Sequence, residues 1–287
     1  MTIFGKSMLC ALTVLLPVAA LCGLGFDPRP ATAQAAADEF ASHRAIYELS
    51  LAQSRNNSTV SARGRILYDF SGSVCEGYAL QFRQVSEMDN GEGKVTLSDL
   101  RTTTWEDGAA KKFTYKSQNY LNQTLIDTVE GQAERQSDKV AVKLLKPVDK
   151  SFEIEAITAF PTEHMRRILE AARAGKSNLE LPVYDGSDKG EKLYQTLSVI
   201  GRVIGPNERP PTDGAAGQKA LAALKRWPVT VSYFDKAAQG GDQAPVYAIK
   251  FEVYENGVSR ALMLDYTNFS IRGELASLEM RDSKPCR

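Results

Sequence analysis

His43 and His164 are the only histidines in the 287-residue chain, and they lie far apart in sequence. A hydrolytic triad needs one imidazole placed between a nucleophile and a carboxylate. No Gly-x-Ser-x-Gly elbow supplies that nucleophile in a recognisable setting. A zinc centre would draw on more histidine and cysteine ligands than this sequence offers. His164 falls at a helix start beside Glu163 and reads as structural or capping, while His43 precedes the first strand and reads as a surface or edge residue. Five carboxylates, Asp99, Glu106, Asp107, Asp185 and Asp188, could converge on one cleft, which an envelope hydrolase would require. The stretch Asp185-Gly186-Ser187-Asp188-Lys189-Gly190 resembles part of a calcium loop. It lacks the alternating carboxylates and closing glutamate of an EF-hand, and fits a polar hairpin turn better. There is no phosphate-binding loop and no dinucleotide fingerprint. The expectation is a non-enzymatic protein with no cofactor, no metal site and no catalytic residues.

The cysteines take their meaning from the N-terminus. Lys6 provides a basic start, an apolar run extends from Met8 to Leu24, and Ala31-Thr32-Ala33 and Ala33-Gln34-Ala35 are overlapping small-x-small cleavage patterns. That order is what a secretory signal peptide requires. A transmembrane anchor needs about 20 apolar residues, and Pro17, the glycines and Pro28–Pro30 shorten any such helix. Bulky Leu21 before Cys22 argues against lipoprotein processing. Residues 1–35 therefore read as a cleaved signal peptide and residues 36–287 as one periplasmic domain. Cys10 and Cys22 leave with the signal, so Cys75 and Cys286 remain. In an oxidising compartment an even pair reads first as a structural disulfide, ahead of two buried free thiols. It would close a loop of about 210 residues, for which chain entropy allows at most about 5 kcal/mol.

Lys+Arg and Asp+Glu both number 35, so no basic excess draws the chain to nucleic acid or anionic lipid. The hydrophobic fraction of 43% supports a real core. After residue 35 no apolar stretch is long enough to span a bilayer, and the processed chain is expected to be soluble.

Alternation with period two dominates, as half-buried strands require. Ala45, Tyr47, Leu49 and Leu51 share one face, as do Val60, Ala62, Ile66, Tyr68 and Phe70, and then Tyr78, Leu80 and Phe82. Val95 and Leu97, then Phe113 and Tyr115, mark two more strands separated by a polar turn at Glu106-Asp107-Gly108, and the stretch Thr102–Trp105 also suits a strand. Val140, Val142 and Leu144 run up to Pro147. One helix is expected from Phe160 to Gly175, with Pro161 at its start, Met165, Ile168, Leu169 and Ala172 on one face, and Gly175 as a left-handed cap. A Pro/Gly-rich loop, Gly205–Gly217, reads as a flexible excursion before a short helix from Gln218 to Lys225. Val229, Val231 and Tyr233, then Tyr247, Ile249, Phe251 and Val253, alternate around Gly240-Gly241. Asn256-Gly257 predicts a type I′ hairpin, returning through Leu262, Leu264 and Tyr266 to Ile271, Gly273 and Leu275. The fold class is mainly β: a curved antiparallel sheet with one or two short helices.

Several segments together resemble the EipB-type cell envelope integrity proteins of the alphaproteobacterial periplasm. They are His43-Arg44-Ala45-Ile46-Tyr47-Glu48-Leu49, Cys75-Glu76-Gly77-Tyr78, Asp99-Leu100-Arg101, Thr104-Trp105-Glu106-Asp107, Phe160-Pro161-Thr162 and Tyr184-Asp185-Gly186-Ser187-Asp188-Lys189-Gly190. The resemblance implies a single-domain broken β-spiral, a disulfide matching Cys75 with Cys286, and a role in keeping the envelope intact. It brings no catalytic residues. The leading expectation is a binding or scaffold protein that engages an envelope protein or peptide segment, favoured because the near-neutral surface has no basic collar for anionic headgroups. A periplasmic lipid or acyl-chain carrier, and a hydrolase with an unrecognised carboxylate site, are the alternatives.

Two outcomes follow from the sequence. N-terminal sequencing of periplasmic protein should find a start between Gln34 and Asp38, and Met1 retained in a membrane fraction would overturn the processing. Cys75→Ser and Cys286→Ser should lower the thermal midpoint equally, since each removes the same cross-link. Two alkylatable thiols by intact mass in periplasmic protein would sink the disulfide.

Overall fold

The computed structural model describes residues 40–55, 59–236 and 244–282. The signal segment, Gly240-Gly241 and Cys286 lie outside these residues.

Fourteen strands form one antiparallel sheet. In chain order they are β1 His43–Ser54, β2 Ser61–Ser73, β3 Gly77–Asp89, β4 Val95–Glu106, β5 Lys112–Leu121, β6 Thr124–Arg135, β7 Lys139–Lys146, β8 Lys150–Glu155, β9 Asn178–Val183, β10 Tyr194–Ile200, β11 Arg226–Asp235, β12 Tyr247–Tyr254, β13 Ser259–Tyr266 and β14 Phe269–Met280. Helix α1, Pro161–Arg173, joins β8 to β9, and a single-turn helix α2, Lys219–Ala222, precedes β11. Spatially the order runs from β8 back to β1, then β14 down to β9. Two meanders are thus sewn together where β1 pairs with β14, from His43↔Met280 to Ser54↔Phe269. A sheet this wide must curl, because each strand adds right-handed twist.

The curl brings the free edges, β8 and β9, towards each other. They do not pair. Instead Ala159 bridges β9, its N–H donating to the Pro182 carbonyl at 2.8 Å while its own carbonyl accepts from Tyr184 N–H at 3.0 Å. Ion pairs Lys150–Glu191 and Lys236–Glu155 carry the rest of the gap. The bridge covers the Val183 end of the β9 edge.

Helix α1 packs Ile168, Leu169, Ala171 and Ala172 into a core with Phe70 and Tyr78 on one side and Val229, Val231, Phe251 and Val253 on the other. Gly175 ends it in the left-handed region (φ 71°), with Lys176 N–H on Ala171 and Gly175 N–H on Ala172. That is the two-bond Schellman closure. A second core joins β1, β2 and β14 to Ala215 and Leu221, and a third joins β5–β7 to Phe160 and Tyr184.

Several sequence expectations change. Val60 lies outside β2 with 61% of its surface exposed. The loop at Gly205–Gly217 is not a free excursion. Gly214 donates to the Leu275 carbonyl at 2.5 Å, and buried Arg260 holds Asp213 at 2.8 Å. Arg226, 2% exposed, reaches Glu252 at 2.7 Å and the carbonyl of Arg209. The second helix keeps only Lys219–Ala222 of the expected span. At Asn256-Gly257 only Gly257 has positive φ (88°). Tyr254 N–H bonds Val258 and Gly257 N–H bonds Tyr254, so the hairpin has a three-residue loop with a left-handed glycine rather than a type I′ turn.

Candidate functional site

Nine strands contribute side chains to one interior cavity of about 780 Å³, within the usual range of small-molecule sites. α1 closes part of it with Pro161, Thr162, His164, Met165 and Ile168. Leu80, Phe82 and Leu100 face it from β3 and β4, and Ile249, Phe251, Leu262 and Leu264 face it from β12 and β13. Polar groups are few: Tyr47, Tyr68, Gln84, Asp185, Ser187, Tyr194, Tyr233, Tyr247 and Tyr266 are the main ones.

Strand register assembles the tyrosines. Tyr233 lies opposite Tyr247, and Tyr247 opposite Tyr266. The Tyr233 and Tyr247 rings stack with centroids 4.4 Å apart, and Tyr194 stands at right angles to Tyr233 at 5.7 Å. Among the described residues none hydrogen-bonds the hydroxyls of Tyr68, Tyr233, Tyr247 or Tyr266. Burial pushes the Tyr68 phenol up to about 12 and holds the other three well above the usual tyrosine range. They are neutral hydroxyls facing an apolar space. Tyr47 differs, donating to the Ser259 carbonyl at 2.8 Å.

The sequence-predicted carboxylates do not converge. Asp99 receives Arg83 at 2.9 Å and Arg101 at 2.7 Å, and the hydrogen bond from Arg83 leads in holding its carboxyl down at about 2. Asp107 ties its own turn, accepting from Ala109 and Lys111 N–H. Asp188 is paired with Lys192 at 3.0 Å. Only Asp185 and Asp188 reach the cavity wall. The Asp185–Gly190 stretch is a hairpin connection between β9 and β10, with Asp185 accepting from Ser187 N–H at 2.9 Å. No group of three metal-ligating side chains occurs among the described residues.

Both histidines are buried, which corrects the surface or edge placement of His43. That residue is 2% exposed, stacked on Tyr68 at 5.6 Å, with Nδ1 2.7 Å from the Ala41 carbonyl. It opens β1 beside the centre of the sheet, so burial pushes its pKa down. His164 sits in the first turn of α1, Nε2 3.3 Å from Thr196 Oγ1, and burial lowers it to about 4.

Glu106, one of the five candidate carboxylates, has a role that the sequence did not show. It ends β4 rather than sitting in a polar turn, is 1% exposed, and accepts N–H bonds from Thr162 and Glu163, both at 2.7 Å. It therefore supplies to α1 the cap that Phe160 lacks. Glu163 in turn takes Arg135 and Arg167, each at 2.6 Å. Burial leads in pushing the Glu106 carboxyl up to about 7.

The chain matches the EipB-like family over residues 34–282. It is 35% identical over 254 residues to the cell envelope integrity protein EipB of Brucella abortus (strain 2308), covering 88% of this chain and 89% of that protein. It also aligns, at 34% identity and a TM-score of 0.79, with a crystal structure from Brucella abortus. That structure is described as a β-barrel-like protein of a domain of unknown function, DUF1849, and the match covers 85% of this chain and 99% of that one. The chain belongs to the EipB-like family.

Glu106 gives a signed pH test. A carboxyl raised from 4.5 to about 7 by folding contributes stability that is complete below its unfolded pKa and is lost as pH rises through the folded value. Glu106→Gln removes that titration while keeping one acceptor. Between pH 4 and pH 8 the variant should gain on the wild type by on the order of 3 kcal/mol. Denaturant melts at both pH values measure it, and an unchanged difference would mean that Glu106 does not titrate in this range.

Proposed function

We propose, from membership of the EipB-like family, that this protein serves cell envelope integrity in the periplasm as a non-enzymatic binding protein. Its interior cavity receives the apolar part of an amphiphilic ligand. The observation that carries the reading is an apolar space of about 780 Å³ at the centre of the sheet, with α1 filling one side of the interior and not the whole. An apolar cavity with a few aimed polar groups is how proteins hold a ligand with a greasy body and a polar end. The related Brucella protein carries cell envelope integrity in its name, which supports an envelope setting.

Strand addition of an extended peptide has less to support it. The end of the β9 edge is taken by the Ala159 bridge, and β8 carries Lys150 and Glu155 in ion pairs with Glu191 and Lys236. The interior is the better-prepared surface, so a lipid-like ligand moves ahead of a peptide segment. Binding without turnover is supported by the dispersal of the carboxylates, with Asp99 locked between two arginines and Glu106 committed to the helix.

The disulfide between Cys75 and Cys286 is part of the same proposal. Cys75 is not a free thiol. It lies in the β2–β3 turn, and β14 exits beside that end of the sheet, with Arg281 bonded to Ser42 and to Asp69 of β2.

A neutral naphthylamine dye that brightens in apolar surroundings tests the cavity. It should bind saturably, one per protein, and Ile249→Trp, which fills the space, should weaken it at least tenfold. Val199→Trp on the 50% exposed surface should not. No saturable binding, or equal binding to both variants, would overturn the cavity as the site.

A further inference from the structure

One wall of the cavity has a character that an apolar body alone does not need. Asp185 sits there partly buried, its Oδ1 accepting from the Ser187 backbone, and among the described residues no lysine or arginine reaches its carboxylate. Around it stand Tyr194, Tyr233 and Tyr247. The last two are stacked at 4.4 Å, and Tyr194 stands at right angles to them at 5.7 and 6.0 Å. The neighbouring charges are already spoken for. Lys192 is shared between Asp188 at 3.0 Å and Asp235 at 3.2 Å, and Lys150 is held by Glu191.

Aromatic rings attract cations through the negative potential of their faces, and tyrosines grouped with a carboxylate are the arrangement that holds quaternary ammonium groups. The protein already places a cation this way, with Lys192 Nζ 5.3 Å from the centre of the Tyr194 ring. An anionic headgroup at this wall would meet Asp185 with no compensating cation.

Resting on the cavity reading above, we propose that the ligand is an amphiphile with an ammonium headgroup, its cation seated against Asp185 and the Tyr194, Tyr233 and Tyr247 rings. The apolar tail lies along Ile249, Leu262 and the helix.

Three probes of equal chain length separate the possibilities by calorimetry below their micelle-forming concentrations: dodecyltrimethylammonium, dodecyl maltoside and dodecyl sulfate. The cationic probe should bind wild type at least tenfold more tightly than the neutral one, and dodecyl sulfate most weakly. Asp185→Asn, which keeps an acceptor for Ser187, should lower the affinity for the cation about tenfold and leave that for maltoside unchanged. Tyr247→Leu should lower the affinity for the cation by more than that for maltoside. The headgroup ranking on wild type stands even if a variant folds poorly, and thermal melts identify such a variant. Equal affinity for all three probes, or preference for the sulfate, would overturn the ammonium site while leaving the cavity reading intact. Failure of all three to bind would overturn both.

Discussion

Two hydrogen bonds from the start of α1 to the Glu106 carboxylate settle where the helix lies inside the sheet. Helix N-termini carry unsatisfied N–H groups and a partial positive charge. In most proteins a residue next in sequence answers them. Here the answer comes from the far end of β4, so the cap is also a tertiary contact, joining the helix to the strand at 2.7 Å. Arg135 extends the anchorage, binding Glu163 as well as the Ala110 and Thr158 carbonyls. With its first turn pinned, α1 directs Ile168 and Leu169 towards β11 and β12 while His164 and Met165 stay at the cavity wall. A helix shifted further in would fill the interior, and one released from Glu106 would leave the core of Phe70 and Val229 uncovered.

Polarity is handled differently on the two sides of the sheet. Facing the interior, polar groups are sparse and mostly neutral. On the opposite face, β1–β4 carry arginines matched across strands with carboxylates, among them Arg65–Glu48, Arg63–Glu87 and Arg83–Asp99. Exposed pairs of this kind contribute little stability each. They keep a wide sheet face solvated and discourage stacking on another sheet. The buried set formed by Arg226, Glu252, Arg260 and Asp213 is of another kind, since removing one member would leave charge without compensation. It fastens the long connection between β10 and β11 that the sequence made look loose.

The sheet was legible wherever apolar residues alternate strictly, as in Ala45, Tyr47 and Leu49 or Val229 and Val231. Strands β6 and β10 were not, because their interior faces include small or polar residues. Gly131 and Ala133 in β6, and Thr196 and Ser198 in β10, are buried or closely packed without marking a hydrophobic period. Gly205–Gly217 misled because its composition records turns, and not the arginines elsewhere that hold it. Helix α1 was read nearly to the residue from Pro161 and Gly175, but its cap came from 56 positions upstream, beyond any local pattern. The cavity wall was half visible. Tyr233, Tyr247 and Tyr266 were each assigned to strand faces, yet only hairpin register shows that they meet, and the Asn256-Gly257 loop that sets it departs from the expected turn. His43 was misplaced for the same reason: the strand it opens lies at the middle of the sheet, not at its edge.

That central position of β1 bears on how the chain acquires its shape. The first and last strands are neighbours, separated by more than two hundred residues yet paired along most of their length. Every other adjacent pair joins strands consecutive in the chain, which can pair as soon as both have been made. The seam is the exception, and bringing such distant segments together carries a large loop-closure entropy that local pairings do not. Until β14 arrives, the growing chain has two ribbons and no continuous sheet, with the interior side of β1 open to solvent. The seam therefore waits for β14, and the sheet becomes continuous only once that strand has been made.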